Sequence, residues 1–240
     1  MKLPIACMKC AMTQRDVSPS NFTAVEFRDD GRYQTTCSKG HISIVLLQEQ
    51  KFELLFDIGA YATQDGYYRE AVTSFTASLE RFYEFFIKAV LFGKSIDDQA
   101  VQRSMKFAKL SERQLGGFIF LYTSEFRKSP ILLENRKMGS HTAVEFRNEV
   151  VHRGKIPSSK EALEYGQIIL ELIKPVLLET KQKYQKGVQA TIFEHLKEGK
   201  HDPKELASTM TMPTIINLSR EDEGWNKRSL EQAIKELKRW

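Results

Sequence analysis

The sequence predicts a mainly α-helical protein with a small β-rich module at its N-terminus. From about residue 49 onward, apolar side chains recur at alternating steps of three and four, the period of a helix that is buried on one face. Ahead of that point, short β-type runs lie between cysteines, and every cysteine of the 240-residue chain falls there. These changes in sequence pattern divide the chain into a module over residues 1–48, a helical domain over 49–185 and a C-terminal helical extension over 186–240.

The cysteines of the N-terminal module have the spacing of metal ligands. Cys7 and Cys10 form a CxxC pair, and Cys37 is followed by His41, with Gly40 permitting a tight turn between them. Three thiolates and one imidazole complete a tetrahedral shell with no open position, which is the usual structural zinc site. The alternative is three buried cysteines beside an unrelated histidine. Because all four ligands fall within one short module, we predict one structural zinc ion.

Short runs between the two ligand pairs predict β-strands. Residues 22–28 form the first strand, Asp29-Asp30-Gly31 is a hairpin turn, and residues 32–36 return along it. Residues 42–47 predict a third strand. Together with the ligand spacing, this order resembles a zinc ribbon.

Apolar periodicity and end signals predict the helices of the second domain. Helices are expected over residues 48–63, 98–110 and 112–126, and from about residue 158 to 177. Ser111 is expected to cap the helix over 112–126. The clearest helix places six apolar residues on one face: Val72, Phe75, Leu79, Phe82, Phe86 and Ala89.

Beyond residue 186, glycines and prolines interrupt the helical pattern. Short helices are expected over residues 191–198 and 228–238. No motif of known chemistry lies in this extension. Three alternatives stay open for it: packing on the core, docking a protein partner, or partial mobility.

The segment Arg147-Asn148-Glu149-Val150-Val151-His152 carries the clearest chemical signal of the helical domain. An arginine is permanently charged and its planar fork matches phosphate oxygens, while a histidine exchanges protons near neutral pH. These two groups suit cleavage of RNA without a metal ion, since the histidine can withdraw the 2′-hydroxyl proton and the arginine can stabilise charge on the phosphate. Gly154 and Pro157 predict that the helix ends just after His152.

Two copies of this helix are expected to form one site. On an ideal helix, side chains five positions apart are offset by about 140°. Arg147 and His152 therefore do not converge on one atom from a single helix, whereas a two-fold axis would bring a second helix opposite the first. We predict a homodimer in which the two helices face each other.

Arg147, Asn148 and His152, placed after a pair of long amphipathic helices and before another helix, resemble the RxxxxH motif of HEPN domains. The resemblance covers roughly residues 50 to 185. It implies an HEPN-like α-helical bundle that dimerises, with catalytic roles for Arg147 and His152 and an auxiliary role for Asn148. It also implies a metal-independent endoribonuclease with a place in antiviral defence or as a toxin. Some members of the family are not active nucleases, so the alternative is a non-catalytic dimeric adaptor that binds nucleic acid or protein.

Other polar residues near the motif are candidates for supporting roles. Arg153 and the Arg136-Lys137 pair are candidate phosphate contacts, because they lie close to the motif in sequence. Glu80, beside the aromatic stripe of the longest predicted helix, is a candidate to orient Arg147. His141, ahead of the motif helix, is a weaker catalytic candidate.

Composition sets broad limits on the function. The formal net charge is +5 and 41% of the residues are hydrophobic, which fits a globular protein and is compatible with an RNA partner. No run approaches the length of apolar residues that a membrane span needs, and the first residues lack the apolar core of a secretory signal. A cytoplasmic protein with no membrane partner is expected. The chain contains no phosphate-cradling GxxxxGK[ST] loop and no HExxH motif.

Overall fold

The structure is a computed structural model that describes residues 2–14, 22–202, 206–219 and 227–237. Its described residues divide into two compact units. The first unit takes the chain up to Glu49 together with Ile192–Pro213, and the second takes Gln50–Thr191 together with Thr214–Leu237. Residues 186–240, which the sequence places in one helical extension, are thus shared between the two units.

The first unit is built on short strands around one helix. Strand β1 (Leu3–Ala6) pairs antiparallel with β2 (Phe22–Val25), and helix α1 (Met8–Gln14) follows β1. Strand β3 (Arg32–Thr36) pairs antiparallel with β4 (Ile42–Leu47). A small strand module at the N-terminus was predicted, and the structure confirms it.

The hairpin predicted across Asp29-Asp30-Gly31 is not formed, because β2 ends at Val25 and pairs with β1. Polar groups of the segment between β2 and β3 form hydrogen bonds with residues that are close to them in the chain. The Arg28 guanidinium binds the Asp30 carboxylate at 3.0 and 2.8 Å, and the Arg28 backbone N–H donates to the Tyr33 hydroxyl at 3.1 Å. Because the Arg28 N–H already bonds to Tyr33, it cannot take part in the hydrogen-bond ladder of a hairpin with β3. Strand β3 pairs with β4 instead.

Strand β7 (Ser208–Met210) extends this sheet from the far end of the chain. It pairs parallel with β4, with Leu46 opposite Thr209, and the Gln48 backbone N–H donates to the Met210 carbonyl at 3.0 Å. This strand was not predicted, since three residues without a clear alternation carry no strand signal of their own.

The second unit contains most of the helices. Helix α2 spans Lys51–Gln64, α3 Tyr68–Gly93, α4 Asp98–Phe107, and α5 Ser111–Phe126. A 3₁₀ turn (Leu133–Asn135) and a two-residue hairpin of β5 (Lys137–Met138) and β6 (His141–Thr142) lead into α6 (Ala143–Arg153). Helix α7 spans Ser159–Lys183 and runs through Pro175; α8 (Gln185–Glu198) and α9 (Leu230–Lys235) follow. The chain is mainly α-helical, as predicted.

Helix α3 is the centre of the second unit, because α2, α5, α6 and α7 all pack against it. Its predicted apolar stripe is buried along its whole length, from Val72 to Ala89. Aromatic rings dominate the contact with neighbouring helices: Phe56 meets Phe75 at 4.9 Å between ring centroids, and Phe86 meets Phe118 at 5.0 Å. Each fully buried phenylalanine contributes about 1.5–3 kcal/mol of hydrophobic stabilisation.

Residues 214–219 form an irregular segment with bends and a turn, and two of its backbone N–H groups are bound by acidic side chains of α2. The Ile215 N–H donates to Asp57 at 2.9 Å, and the Leu218 N–H donates to Glu53 at 2.8 Å. Both carboxylates are buried, and such charges are tolerated in a core only where hydrogen bonds replace water. None of the helices in the described ranges combines the length and hydropathy needed to cross a membrane.

Candidate functional site

The four predicted metal ligands meet in the first unit. Cys7 follows β1 and Cys10 lies in the first turn of α1, so that the CxxC pair sits at a strand-to-helix junction. Cys37 and His41 lie at the two ends of the β3–β4 turn. Two hydrogen bonds close this turn, from the Cys37 N–H to the His41 carbonyl at 3.1 Å and from the Gly40 N–H to the Cys37 carbonyl at 2.9 Å. Gly40 has the positive φ of 76° that the turn requires.

The ligand atoms have the separations of a tetrahedral shell. Cys10 Sγ lies 3.3 Å from His41 Nδ1 and 3.9 Å from Cys37 Sγ, and Cys7 Sγ lies 3.9 Å from His41 Nδ1. All four ligand atoms lie within 4.8 Å of one another. Metal–sulfur bonds of about 2.3 Å at tetrahedral angles would place two sulfurs about 3.8 Å apart. The cluster is therefore able to hold a metal ion.

The electrostatics of the thiols also favour a bound cation. Burial, with the neighbouring thiols of Cys7 and Cys37, raises the pKa of Cys10 to about 11. Burial opposes ionisation of Cys7 too, but hydrogen bonds from the Cys10 backbone, the Ser43 hydroxyl and the other thiols outweigh it and lower the pKa of Cys7 to about 6. Without a cation the cluster thus supports one thiolate readily and resists the next. A metal ion would remove that resistance, because it binds cysteine as the thiolate.

The motif helix α6 begins and ends at well-formed caps. At its start, the Thr142 hydroxyl accepts from the Glu145 N–H at 3.1 Å, and the Glu145 carboxylate accepts from the Thr142 N–H at 2.7 Å. At its end, Gly154 takes the left-handed conformation with a φ of 75°, as predicted, and its N–H bonds the Glu149 carbonyl. His152 accordingly lies in the last turn of the helix.

Arg147 is held in place by two polar partners. Its Nη1 donates to Asn148 Oδ1 at 2.8 Å, and its Nη2 lies 3.9 Å from Glu80 Oε1. The other oxygen of Glu80 accepts from the Ser111 hydroxyl at 2.9 Å. Ser111 is therefore not the cap predicted for α5; it is the first helical residue, and Leu110 takes the N-cap position.

Arg147 keeps part of its hydrogen-bonding capacity unused. Its side chain is 28% exposed, so it is partly accessible from solvent. Its Nε is buried and has no hydrogen-bond partner among the described residues. Glu80 of α3 thus contacts Arg147, and the role in orienting this arginine that the sequence suggested for it stays a prediction.

His152 is exposed, and within the described part of the chain no hydrogen bond or ion pair involves its ring. It lies on the same helix as Arg147, one position beyond a full turn. The structure thus joins Arg147, Asn148 and Glu80 directly and leaves the imidazole facing solvent near the C-terminal end of α6.

The candidate phosphate contacts lie at opposite ends of α6. Arg136 and Lys137 precede the helix, and Arg136 forms an ion pair with Glu171 at 3.6 Å. Arg153 is the last residue of the helix and is exposed. Since the helix has 11 residues, its two ends are separated by about 16 Å. These cations therefore do not form one cluster around His152.

Sequence reasoning missed a group of cations on α3, at the end of α4 and in the connection that follows α4. Arg81, Lys88, Lys106 and Lys109 share one groove, although they are spread over almost thirty positions of the chain. The available signal was the Lys-Phe-Ala-Lys run at 106–109, in which an aromatic residue separates two lysines at a predicted helix end.

No family model, curated protein or solved structure matches this chain. The roles of Arg147, Asn148 and His152 remain predictions from the sequence resemblance.

Proposed function

We propose that the second unit is a metal-independent endoribonuclease of HEPN type. The observation that carries the proposal is the placement of Arg147. Its guanidinium is oriented by Asn148 and Glu80, its side chain is partly exposed, and it shares a helix with the exposed His152. An oriented arginine is worth more to a transition state than a mobile one, because it loses no freedom at the moment of reaction.

The proposed reaction is an internal transfer at one phosphodiester. His152 withdraws the proton of a 2′-hydroxyl, and the 2′ oxygen forms a bond to the adjacent phosphorus. The bond from phosphorus to the 5′ oxygen breaks, and an imidazolium protonates the departing oxygen. Arg147 stabilises the charge on the non-bridging oxygens throughout. The products are a 2′,3′-cyclic phosphate and a free 5′-hydroxyl.

The metal site has a separate role in this proposal. Cys7, Cys10, Cys37 and His41 would hold zinc, because thiolate with imidazole in a tetrahedral shell is the donor set that zinc prefers. Four protein ligands leave no position for water or substrate. The ion would therefore stabilise the first unit and take no part in cleavage.

A homodimer completes the proposed active site. Each α6 offers an arginine and a histidine with an offset of about 140° on an ideal helix, and an isologous dimer would place two such helices across one cleft. The biological setting that suits such an enzyme is antiviral defence or a toxin, with RNA as the substrate. The exposed part of residues 186–240 remains a candidate surface for a protein partner.

The deciding experiment is cleavage of a 5′-labelled oligoribonucleotide in excess chelator, with the zinc content of the protein measured in parallel. Wild type should cleave, and its products should carry cyclic phosphates. His152→Ala should lower the rate by about 10²–10⁴-fold, the usual contribution of a general acid–base group. The matched control is His201→Ala, which removes another exposed histidine to which no role in cleavage is assigned and should leave the rate unchanged.

Arg147→Lys tests the second half of the mechanism. Lysine keeps the positive charge but loses the planar fork, so the rate should fall substantially while the protein stays folded. Asn148→Ala should have a smaller effect, because the amide only orients the guanidinium. If His152→Ala cleaves as fast as wild type, or if wild type requires added magnesium, the ribonuclease mechanism is wrong and the chain is better explained as a non-catalytic dimeric adaptor.

A further inference from the structure

We propose that a groove between α3, α4 and α5 binds the backbone of single-stranded RNA and presents it to Arg147. This inference rests on the proposed function, because it takes RNA as the ligand of the second unit. The groove has a volume of about 390 Å³. Its charged lining consists of four cations, Arg81, Lys88, Lys106 and Lys109, and one carboxylate, Glu84.

The cations of the groove are of two kinds. Arg81 is fixed: its Nη1 donates to Glu84 at 2.7 Å and its Nη2 to Gln114 at 3.0 Å, and the other oxygen of Glu84 lies 3.8 Å from Lys88. Lys106 and Lys109 are exposed and have no ion pair among the described residues. Four cations against one carboxylate leave a local excess of three positive charges. Such an excess along a groove attracts a polyanion and releases its counterions on binding.

Phe107 is not among the residues that line the groove, but it lies between Lys106 and Lys109 in the chain and supplies an exposed aromatic surface beside them. It is the last residue of α4, and its side chain is 75% exposed. A nucleobase fits here, because proteins that bind single strands combine cations for the backbone with aromatic rings on which bases stack. A duplex hides its bases, so the aromatic ring favours the single strand.

The groove is connected to the motif through α3. Glu80 precedes Arg81 in the chain and contacts both Arg147 on α6 and Ser111 on α5. Glu80 and Glu84 are one helical turn apart, which is about 6 Å along the axis and close to the spacing of successive phosphates. In this proposal, a strand whose phosphates lie on the groove cations continues along α3 toward the guanidinium of Arg147.

The test measures binding of a fluorescein-labelled 12-nucleotide oligouridylate by anisotropy at several salt concentrations, with His152→Ala as the parent protein to suppress cleavage. In that parent, replacing Lys106 and Lys109 together by alanine should weaken binding and reduce the salt slope of the logarithm of affinity by about 1.4, which corresponds to two phosphate contacts on a single strand. Phe107→Ala should weaken binding by about 5- to 100-fold through lost stacking and leave the salt slope unchanged.

The matched control replaces Lys186 and Lys197, two exposed lysines of α8, by alanine, and should leave the salt slope at the parent value. The inference is overturned if the Lys106/Lys109 variant keeps the parent affinity and slope, if the parent does not bind the oligonucleotide, or if a duplex binds more tightly than the single strand. The two proposals fail separately. Groove-dependent binding by a wild type that does not cleave would refute only the ribonuclease, and cleavage that is indifferent to Lys106 and Lys109 would refute only the groove.

Discussion

Gly187→Ala should destabilise the second unit strongly, although alanine is the better helix former. Gly187 lies in the first turn of α8, against the C-terminal end of α3. A Cβ at this position would overlap the carbonyl oxygen of Ala89 and would lie 2.6 Å from the nitrogen and 2.9 Å from the Cα of Gly93. These are all backbone atoms, so no side-chain rotation can relieve the contact. The two helices would have to separate.

The size of the effect follows from two opposing contributions. Replacing glycine by alanine inside a helix stabilises it by about 0.8–1 kcal/mol. Inserting a methyl group into a closely packed interface costs about 1–3 kcal/mol, and occasionally more. Because the overlap is with backbone at several points, the upper end applies, and we expect a net loss of roughly 2 kcal/mol or more. For a chain of this size that corresponds to a fall of about 4–8 °C in Tm.

Gly116→Ala is the matched control. Gly116 also lies inside a helix, α5, but a Cβ there would meet nothing within 4 Å. This variant should gain up to about 1 kcal/mol from helix propensity alone. Urea unfolding followed by circular dichroism measures both variants, and unchanged m-values would show that the unfolding transitions are comparable. If Gly187→Ala is as stable as Gly116→Ala, the close approach of α8 to α3 is refuted.

Three further predictions concern the metal, a buried carboxyl and the assembly. Elemental analysis should find one zinc per chain, and Cys10→Ser should lose it together with the thermal stability of the first unit; protein with no stoichiometric metal would contradict the site. Burial, only partly offset by the backbone N–H of Met212, raises the pKa of Glu49 to about 7, so the folded state favours the protonated carboxyl. That stabilisation is complete below about pH 4 and is lost as the pH rises through 7. The free energy of unfolding of wild type should therefore fall by up to about 3 kcal/mol relative to that of Glu49→Gln between pH 4 and pH 8. A difference in stability that does not change with pH would show that Glu49 is not the titrating group. Light scattering should show a dimer at micromolar concentration, and a monomer that still cleaves RNA would rule out a site shared across two copies of α6.

The group of four candidate metal ligands is the part of the molecule that was most completely predictable from the sequence. Chelation needs few residues at fixed spacings, and those spacings are local. Cys7 and Cys10 are separated by two residues, and Cys37 and His41 by a three-residue turn that contains the required glycine. What the sequence left open was how the two pairs meet, and the structure brings Cys10 to within 3.9 Å of Cys37.

The helices and their ends were also predictable, since they depend on periods of three and four and on capping residues a few positions apart. The buried stripe of α3 and the left-handed Gly154 at the end of α6 are examples. The position of Ser111 shows the limit of such signals. A serine before a helix commonly caps it, but this hydroxyl instead binds Glu80, which another helix brings close.

The amino-acid sequence by itself determined the class of the fold, the four residues of the candidate metal site and the helix that carries Arg147 and His152, because each of these follows from residues near one another in the chain. Only the tertiary structure decided which groups that are far apart in sequence come into contact. It buried Asp57 against the backbone of Ile215, 158 positions away. It paired β7 with β4 and set Gly187 against the backbone of α3. The role of such a residue depends on a partner that no local pattern contains, since a carboxylate can be buried, or a glycine required, only where folding supplies the atoms that meet it.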